Sequence, residues 1–292
     1  MNESSTEVKS GASLMQRSAR SVRTAAGAVL LGFVVLALGG SVSGALMFAN
    51  LKLAPAVPLF FPATVLWLWL FWRYVRGDGW PRSTSDRRRD LLRVRRLSPR
   101  GWGWALAAGG LALVAVMGIA FVTYRFAALP PAAYRAPFDV ASFPPWTLVS
   151  IFAAVALTAA VVEEAAFRGY MLSGIQRGYG WFVGIGLVTI LFYVAHLSHA
   201  YATLAFAPFF LAYGLVFGLL VFHTRSIVPG IVLHAVSDVI VLPMQYGVIP
   251  SVGQWAFVSH GWLSLLAGAA AIPAFRQLAW AMARERVGTA SS

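Results

Sequence analysis

The chain is expected to fold as an all-α, polytopic membrane helix bundle of about eight transmembrane helices, with a polar cavity in the cytoplasmic half. Three observations predict this. Of 292 residues, 59% are hydrophobic and only 11% charged, whereas soluble domains run to about half apolar and about a quarter charged. Eight apolar stretches, most of them long enough to cross a hydrocarbon core of about 30 Å as a helix, alternate with charged or turn-rich breaks. The basic residues, finally, gather in alternate breaks.

In order, residues 1–22 are polar and small and read as a mobile cytoplasmic tail. The first stretch, 24–50, is far longer than the apolar region of a signal peptide and reads as a span that stays. Its Gly39, Gly40, Ser41, Ser43 and Gly44 suggest a closely packed helix face. A second span, 54–72, leads to the basic segment 73–100, and a third follows at 102–124. The fourth, 146–162, is short and runs directly into Glu163 and Glu164. Only Ser198, His199 and Tyr201 interrupt the apolar pattern between 181–199 and 202–222. Gly214 and Gly218 there read as a packing motif. The last two spans are 227–247 and 256–275. Tryptophans 80, 102, 104, 146, 181 and 255 stand near span ends, as an interfacial belt would have them. Four units follow: the tail 1–22, N-terminal helices 23–145, a core 146–247, and a last helix with its tail at 248–292.

Net charge is +13. Alternating spans from a cytoplasmic N-terminus places Lys9, Arg17, Arg20, Arg23, the arginines of 73–100, Arg168, Arg177, Arg225, Arg276, Arg284 and Arg286 inside. Only Lys52, Arg125 and Arg135 fall outside, a strong positive-inside bias that puts both termini in the cytoplasm of a cell-membrane protein. The segment 73–100 is expected to lie on anionic lipid, with Leu91, Leu92 and Val94 dipping into the interface; an acidic partner is the alternative. No nucleic acid is expected. With no cysteine, thiolate and disulfide chemistry is absent.

Seven of the ten acids fall in tails and loops. Glu163, Glu164 and Asp238 lie in or beside apolar helices, as do His196, His199 and His234. Ionisable groups at bilayer depth cost about 2.5–3.5 kcal/mol on insertion scales and mark functional sites by default. Glu164 and Arg168 are four residues apart and can pair on one helix face, which reads as a structural clamp. Glu163 points away and keeps a free carboxylate. His234 and Asp238 share another helix face. Glu163, His196, His234 and Asp238 could gather in one cavity and hydrolyse an amide or ester, the carboxylate activating water beside imidazole donors. They could instead hold a divalent metal such as zinc, or relay protons in a transporter. No GxSxG or HExxH occurs. His199, His223 and His260 read as interfacial.

At these residues the chain resembles the CPBP (ABI) family, the type II CAAX prenyl endopeptidases and their prokaryotic relatives. The motifs EExxxR, FxxxH and HxxxN or HxxxD stand in order as Glu163–Arg168, Phe192–His196 and His234–Asp238, the last approached by Ser226, Ile227, Pro229 and Gly230. The resemblance covers roughly 146–247. It implies a membrane-embedded peptidase acting on a membrane-bound, sometimes lipidated, protein or peptide without a resident cofactor. Glu163 would then activate water, His196 hold the water or polarise the carbonyl, and His234 with residue 238 form the oxyanion hole. Glu164, Arg168 and Phe192 would support the site. A non-catalytic immunity or scaffold protein of the same fold is the alternative. Asp238 stands where many members have asparagine, and an ionised aspartate cannot donate a hydrogen bond. It serves an oxyanion only when protonated; otherwise it orients His234 or ligates a metal.

One geometric tension follows. With Glu163 ending one span and the next starting at Trp181, His196 lies about 22 Å along that helix. Either the Glu163 helix runs well past Arg168, or the 181–199 helix begins outside the bilayer.

Overall fold

The computed structural model describes residues 3–127, 139–245 and 252–290. Arg135 and the side chains of Lys9, Arg17, Arg20 and His260 lie outside what is described. Among the described residues the regular structure is all helical, with α1 (Glu3–Leu53), α2 (Phe60–Val75), α3 (Ser85–Leu92), α4 (Pro99–Phe126), α5 (Pro145–Glu163), a π-helical segment (Glu164–Met171), α6 (Leu172–His196), α7 (Ala207–Thr224), α8 (Val228–Gln245) and α9 (Val252–Ala290). The polar residues from Glu3 onward, expected as a mobile tail, continue α1 as helix.

Five stretches are long and apolar enough to cross a membrane: Ser21–Leu53, Pro99–Thr123, Pro145–His196, Leu204–Thr224 and Gly261–Arg286. The shorter apolar helices Phe60–Val75 and Val228–Pro243 join them. Pro145–His196 contains two of the expected spans, so every expected apolar stretch is found in a helix. This is a multi-pass membrane bundle.

Local chemistry sets the helix ends. Asn50 pins the α1–α2 turn: its Oδ1 accepts from the Phe60 N–H at 2.7 Å, and its amide donates to the Ala54 and Val57 carbonyls at 3.0 Å. Trp146 Nε1 and Thr147 Oγ1 donate to carbonyls of that same turn, Ala56 and Pro55, and so fix where α5 begins. Ser98 caps α4 by accepting from the Gly101 N–H at 3.0 Å, with Pro99 at the first helical position.

The geometric tension is resolved at Glu163 and Gly180. α5 does not stop at Glu163; it passes through the π-helical segment into α6, which breaks at Gly180 (φ 82°, ψ 173°). That backbone conformation favours glycine. The chain folds back there, bringing Phe192 to 5.3 Å from Phe167 between ring centres and Gly184 against Leu172 and Gln176. Gly180 lies about midway between Glu163 and His196, so each arm runs about 25 Å at 1.5 Å per residue. Equal arms return His196 to the level of Glu163. Glu163 is therefore a mid-helix residue rather than the end of a span.

Three further expectations are corrected. Leu91 and Leu92 do not dip towards lipid; both are buried, because α3 lies on the π-helical segment. Leu92 packs on Gly169, the Ser173 hydroxyl donates to the Leu91 carbonyl at 2.6 Å, and Tyr170 donates to the Val75 carbonyl at 3.0 Å. Arg168 is buried inside the bundle, so it is no topology charge. Of the Gly39–Gly44 face only part is close-packed: a Cβ on Gly39 would meet Val162 at 2.6 Å, whereas Gly40 and Gly44 face open space. Gly214 and Gly218 do pack, on Thr189 and Ile185.

Candidate active site

Three helices bring Glu163, His196, His234 and Asp238 together. Oε2 of Glu163 lies 4.0 Å from His196 Nε2 and 3.9 Å from His234 Nε2. His234 Nε2 lies 3.4 Å from Asp238 Oδ2. All four sequence candidates therefore share one small volume.

The adjacent glutamates divide sharply. Glu164 is 0% exposed and Arg168 1%. Glu164 Oε1 accepts from Arg168 Nη1 at 2.9 Å and meets His234 Nδ1 at 3.1 Å. Arg168 Nη2 also donates to the Gly214 carbonyl at 3.4 Å. Its guanidinium carbon lies 4.5 Å from the Phe192 ring centre and 5.3 Å from that of Phe217, so aromatic faces solvate the charge where water cannot. The expected clamp is real, but Glu164 does more than pair: it holds one ring nitrogen of His234. Gly230 permits this, since a Cβ there would press on Glu164 Oε2 at 3.1 Å. Glu163, by contrast, is 18% exposed; its buried Oε2, like that of Glu164, has no hydrogen-bond partner.

Hydrogen-bond partners orient both imidazoles. His196 Nδ1 lies 2.7 Å from the Phe192 carbonyl. A carbonyl only accepts, so Nδ1 carries the hydrogen and the neutral ring offers a lone pair at Nε2. That lone pair faces Glu163. Phe192 serves by its backbone oxygen and by its ring, which packs tilted at 46° against the His196 ring at 4.5 Å. For His234, the Arg168-paired carboxylate at Nδ1 makes that nitrogen the donor, and Phe217 stacks on the ring at 5.3 Å.

Tyr213 and Ser237 belong to the site and were missed in the sequence. Tyr213 Oη lies 2.7 Å from Ser237 Oγ and 3.4 Å from Asp238 Oδ1. Ser237 Oγ donates to the His234 carbonyl at 2.9 Å, so the Tyr213 hydroxyl is the donor to Ser237. A tyrosine and a serine in apolar helices carry no sequence signal until α7 and α8 are side by side. His199 is exposed in the turn after α6, its ring 5.8 Å from His196. His223 caps no part of the site; its carbonyl accepts from Arg286. Among the described residues, no group of three His, Asp or Glu is placed to hold a metal ion.

A family model described as type II CAAX prenyl endopeptidase Rce1-like matches residues 145–240, a span that includes all three motifs. No curated protein and no solved structure is matched.

Proposed function

We propose, from the match of residues 145–240 to a CAAX-protease-like family model, that the chain is an intramembrane endopeptidase in which Glu163 activates water. The observation that carries the reading is the convergence of two Nε2 atoms on one carboxylate oxygen that accepts no hydrogen bond, beside a second glutamate whose Oε1 is held by both Arg168 and His234. A general base needs an oxygen free to take a proton; a clamp does not.

In the proposed reaction a water between Glu163 and His196 gives its proton to Glu163, while the His196 Nε2 lone pair orients it. The hydroxide oxygen bonds to the scissile carbonyl carbon, and the carbonyl oxygen becomes an oxyanion. His234 is turned to meet that oxyanion at Nε2. Because Nδ1 is committed to Glu164, a hydrogen at Nε2 means the imidazolium form, which the three carboxylates around it stabilise. Asp238 joins as a donor when it carries a proton, and otherwise fixes the His234 ring. The Glu163 proton passes to the leaving nitrogen as the C–N bond breaks, and the carboxylate is restored. The substrate in this reading is a membrane-associated protein or peptide, reached laterally from the bilayer. The side chains of Glu163 and Asp238, 18% and 19% exposed, mark the side from which it enters.

The test compares peptides released in membranes bearing the wild-type chain and Glu163→Gln. Products should appear only with the wild type. Cleavage surviving in Glu163→Gln sinks the mechanism. If the Gln variant instead keeps full biological activity while neither protein cleaves, the non-catalytic reading replaces it. Metal analysis of the purified chain separates the two hydrolytic routes, since stoichiometric zinc needed for cleavage would replace the metal-free one.

A further inference from the structure

Among the described residues, two that are not glycine have positive φ: Arg93 at 57° and Arg225 at 56°. They close α3 and α7, at a position where glycine or asparagine is usual because a Cβ is strained there. The backbone gives no reason for arginine, so the reason lies in the side chains. Both go to one place. Their guanidinium carbons lie 4.4 Å and 4.1 Å from the Trp181 ring centre, and Phe222 meets that ring edge-on at 5.5 Å.

The charged groups that act on these two guanidiniums are themselves arginines. Arg177 lies close enough, with Arg225, to act on Arg93; burial first, then their repulsion, brings the Arg93 pKa down to about 10. Burial and Arg286 lower that of Arg225 in the same way. No ion pair among the described residues involves Arg93, Arg177 or Arg225. Arg93 Nη1 is buried without a hydrogen-bond partner. Guanidinium groups held together with open donor edges fit a phosphate, which accepts from several at once.

The location selects the source of the phosphate. Trp181 follows the Gly180 turn at one end of the bundle, beside Phe182, which is 80% exposed. Arginine beside exposed aromatic rings is the pattern of a membrane–water interface. We propose that Arg93, Arg177 and Arg225 around Trp181 form a binding site for the phosphate of an anionic phospholipid headgroup. A choline headgroup would bring its own cation against three arginines. The site is wired to the catalytic helix: the Arg93 carbonyl accepts from the Ile227 N–H at 3.1 Å, and the Arg95 N–H donates to Ser226 Oγ at 3.4 Å. Ser226 and Ile227 lead directly into α8, which carries His234 about two turns later. An occupied site therefore steadies that helix.

The test uses the delipidated full chain in detergent, with phosphatidylglycerol, phosphatidylcholine or inorganic phosphate added, read by native mass spectrometry and thermal unfolding. Phosphatidylglycerol should bind at least about tenfold more tightly than phosphatidylcholine and raise the Tm. The Arg93→Asn/Arg225→Asn variant, whose asparagines suit the backbone, should keep the lipid-free Tm and lose about tenfold in phosphatidylglycerol affinity. Arg87→Gln in the same basic segment should lose less than about twofold. Equal affinity in the double variant and the wild type overturns the site. An equal Tm gain from inorganic phosphate alone overturns the lipid assignment. Should the double variant fail to fold, Arg177→Gln on the exposed side takes its place; no loss of affinity there is equally fatal.

Discussion

Replacing Glu163 or Glu164 by glutamine exchanges a charged carboxylate oxygen for a neutral amide nitrogen of similar size, yet the two substitutions should move stability in opposite directions. Glu164→Gln removes the negative charge from a pair whose members are 0% and 1% exposed. Arg168 is then left charged among Phe167, Phe192 and Phe217 with only neutral acceptors, the Gly214 carbonyl and the new amide oxygen. Breaking a buried pair from one side costs about 3–5 kcal/mol, or about 5–8 °C in Tm for a chain of this size. Cleavage should fall as well, because His234 loses the carboxylate that holds Nδ1. Glu163→Gln has the reverse logic. Its Oε2 is buried without a hydrogen-bond partner, so neutralising it should leave stability unchanged or raise it by about 1 kcal/mol, as happens when catalytic groups held at a cost are removed. Thermal unfolding of both variants in one detergent, with Arg168→Gln and the Glu164→Gln/Arg168→Gln double variant, completes the measurement. The double variant should lose at least about 2 kcal/mol less than the sum of the singles. Equal losses from Glu163→Gln and Glu164→Gln would refute the division of roles between the two glutamates.

Other consequences are simpler. Tyr213→Phe removes the donor to Ser237 and the group facing Asp238 Oδ1; it should cost about 1 kcal/mol of stability and lower kcat about tenfold with KM little changed. A fall in KM affinity alone would make Tyr213 a substrate contact instead. Gly218→Val places a Cβ 2.7 Å from Ile185 Cγ2 and should cost about 1–3 kcal/mol. Gly186→Val, where nothing lies within 4 Å, should leave the Tm unchanged. Arg88 donates to the carbonyls of Tyr74, Gly79 and Pro81. Arg88→Gln should therefore free the basic segment, and trypsin should cut between residues 73 and 100 faster than in the wild type.

Much of this was legible in the residues themselves. Spans follow from apolar runs, and the ionisable residues of 163–238 stand out because nothing else charged shares their surroundings. Helical spacing paired Glu164 with Arg168 and His234 with Asp238, and both contacts are present. The path of the chain between them was harder to read. Nothing in Phe167–Gly180 says that a helix interrupted by Arg168, Arg177 and several glycines continues as one rod, because the partner that stabilises it is distant: α3 lies against Gly169 and Ser173. The π-helical register has the same origin, since neighbours rather than intrinsic preference select such segments, which recur at functional sites. Leu91 and Leu92 misled for a related reason: among so many arginines their apolar side chains suggested lipid, but the protein itself provides the apolar surface. Tyr213 and Ser237 stayed hidden because hydroxyl groups in apolar helices are common and gain meaning only from their neighbours.

The fold-back at Gly180 also has a consequence in time. Chains are made from the N-terminus, so Glu163, Glu164, Arg168 and His196 are all present in the growing protein before α8 exists. The first part of the site can close as a single hairpin, with the Glu164–Arg168 pair formed and Glu163 facing His196. His234 and Asp238 arrive only with residues 228–245. Until α8 docks, Glu164 has no imidazole to hold and no group stands ready for an oxyanion. In the proposed mechanism, a nascent chain would therefore carry its base well before it carries the means to use it, and hydrolysis would begin only when the bundle is complete.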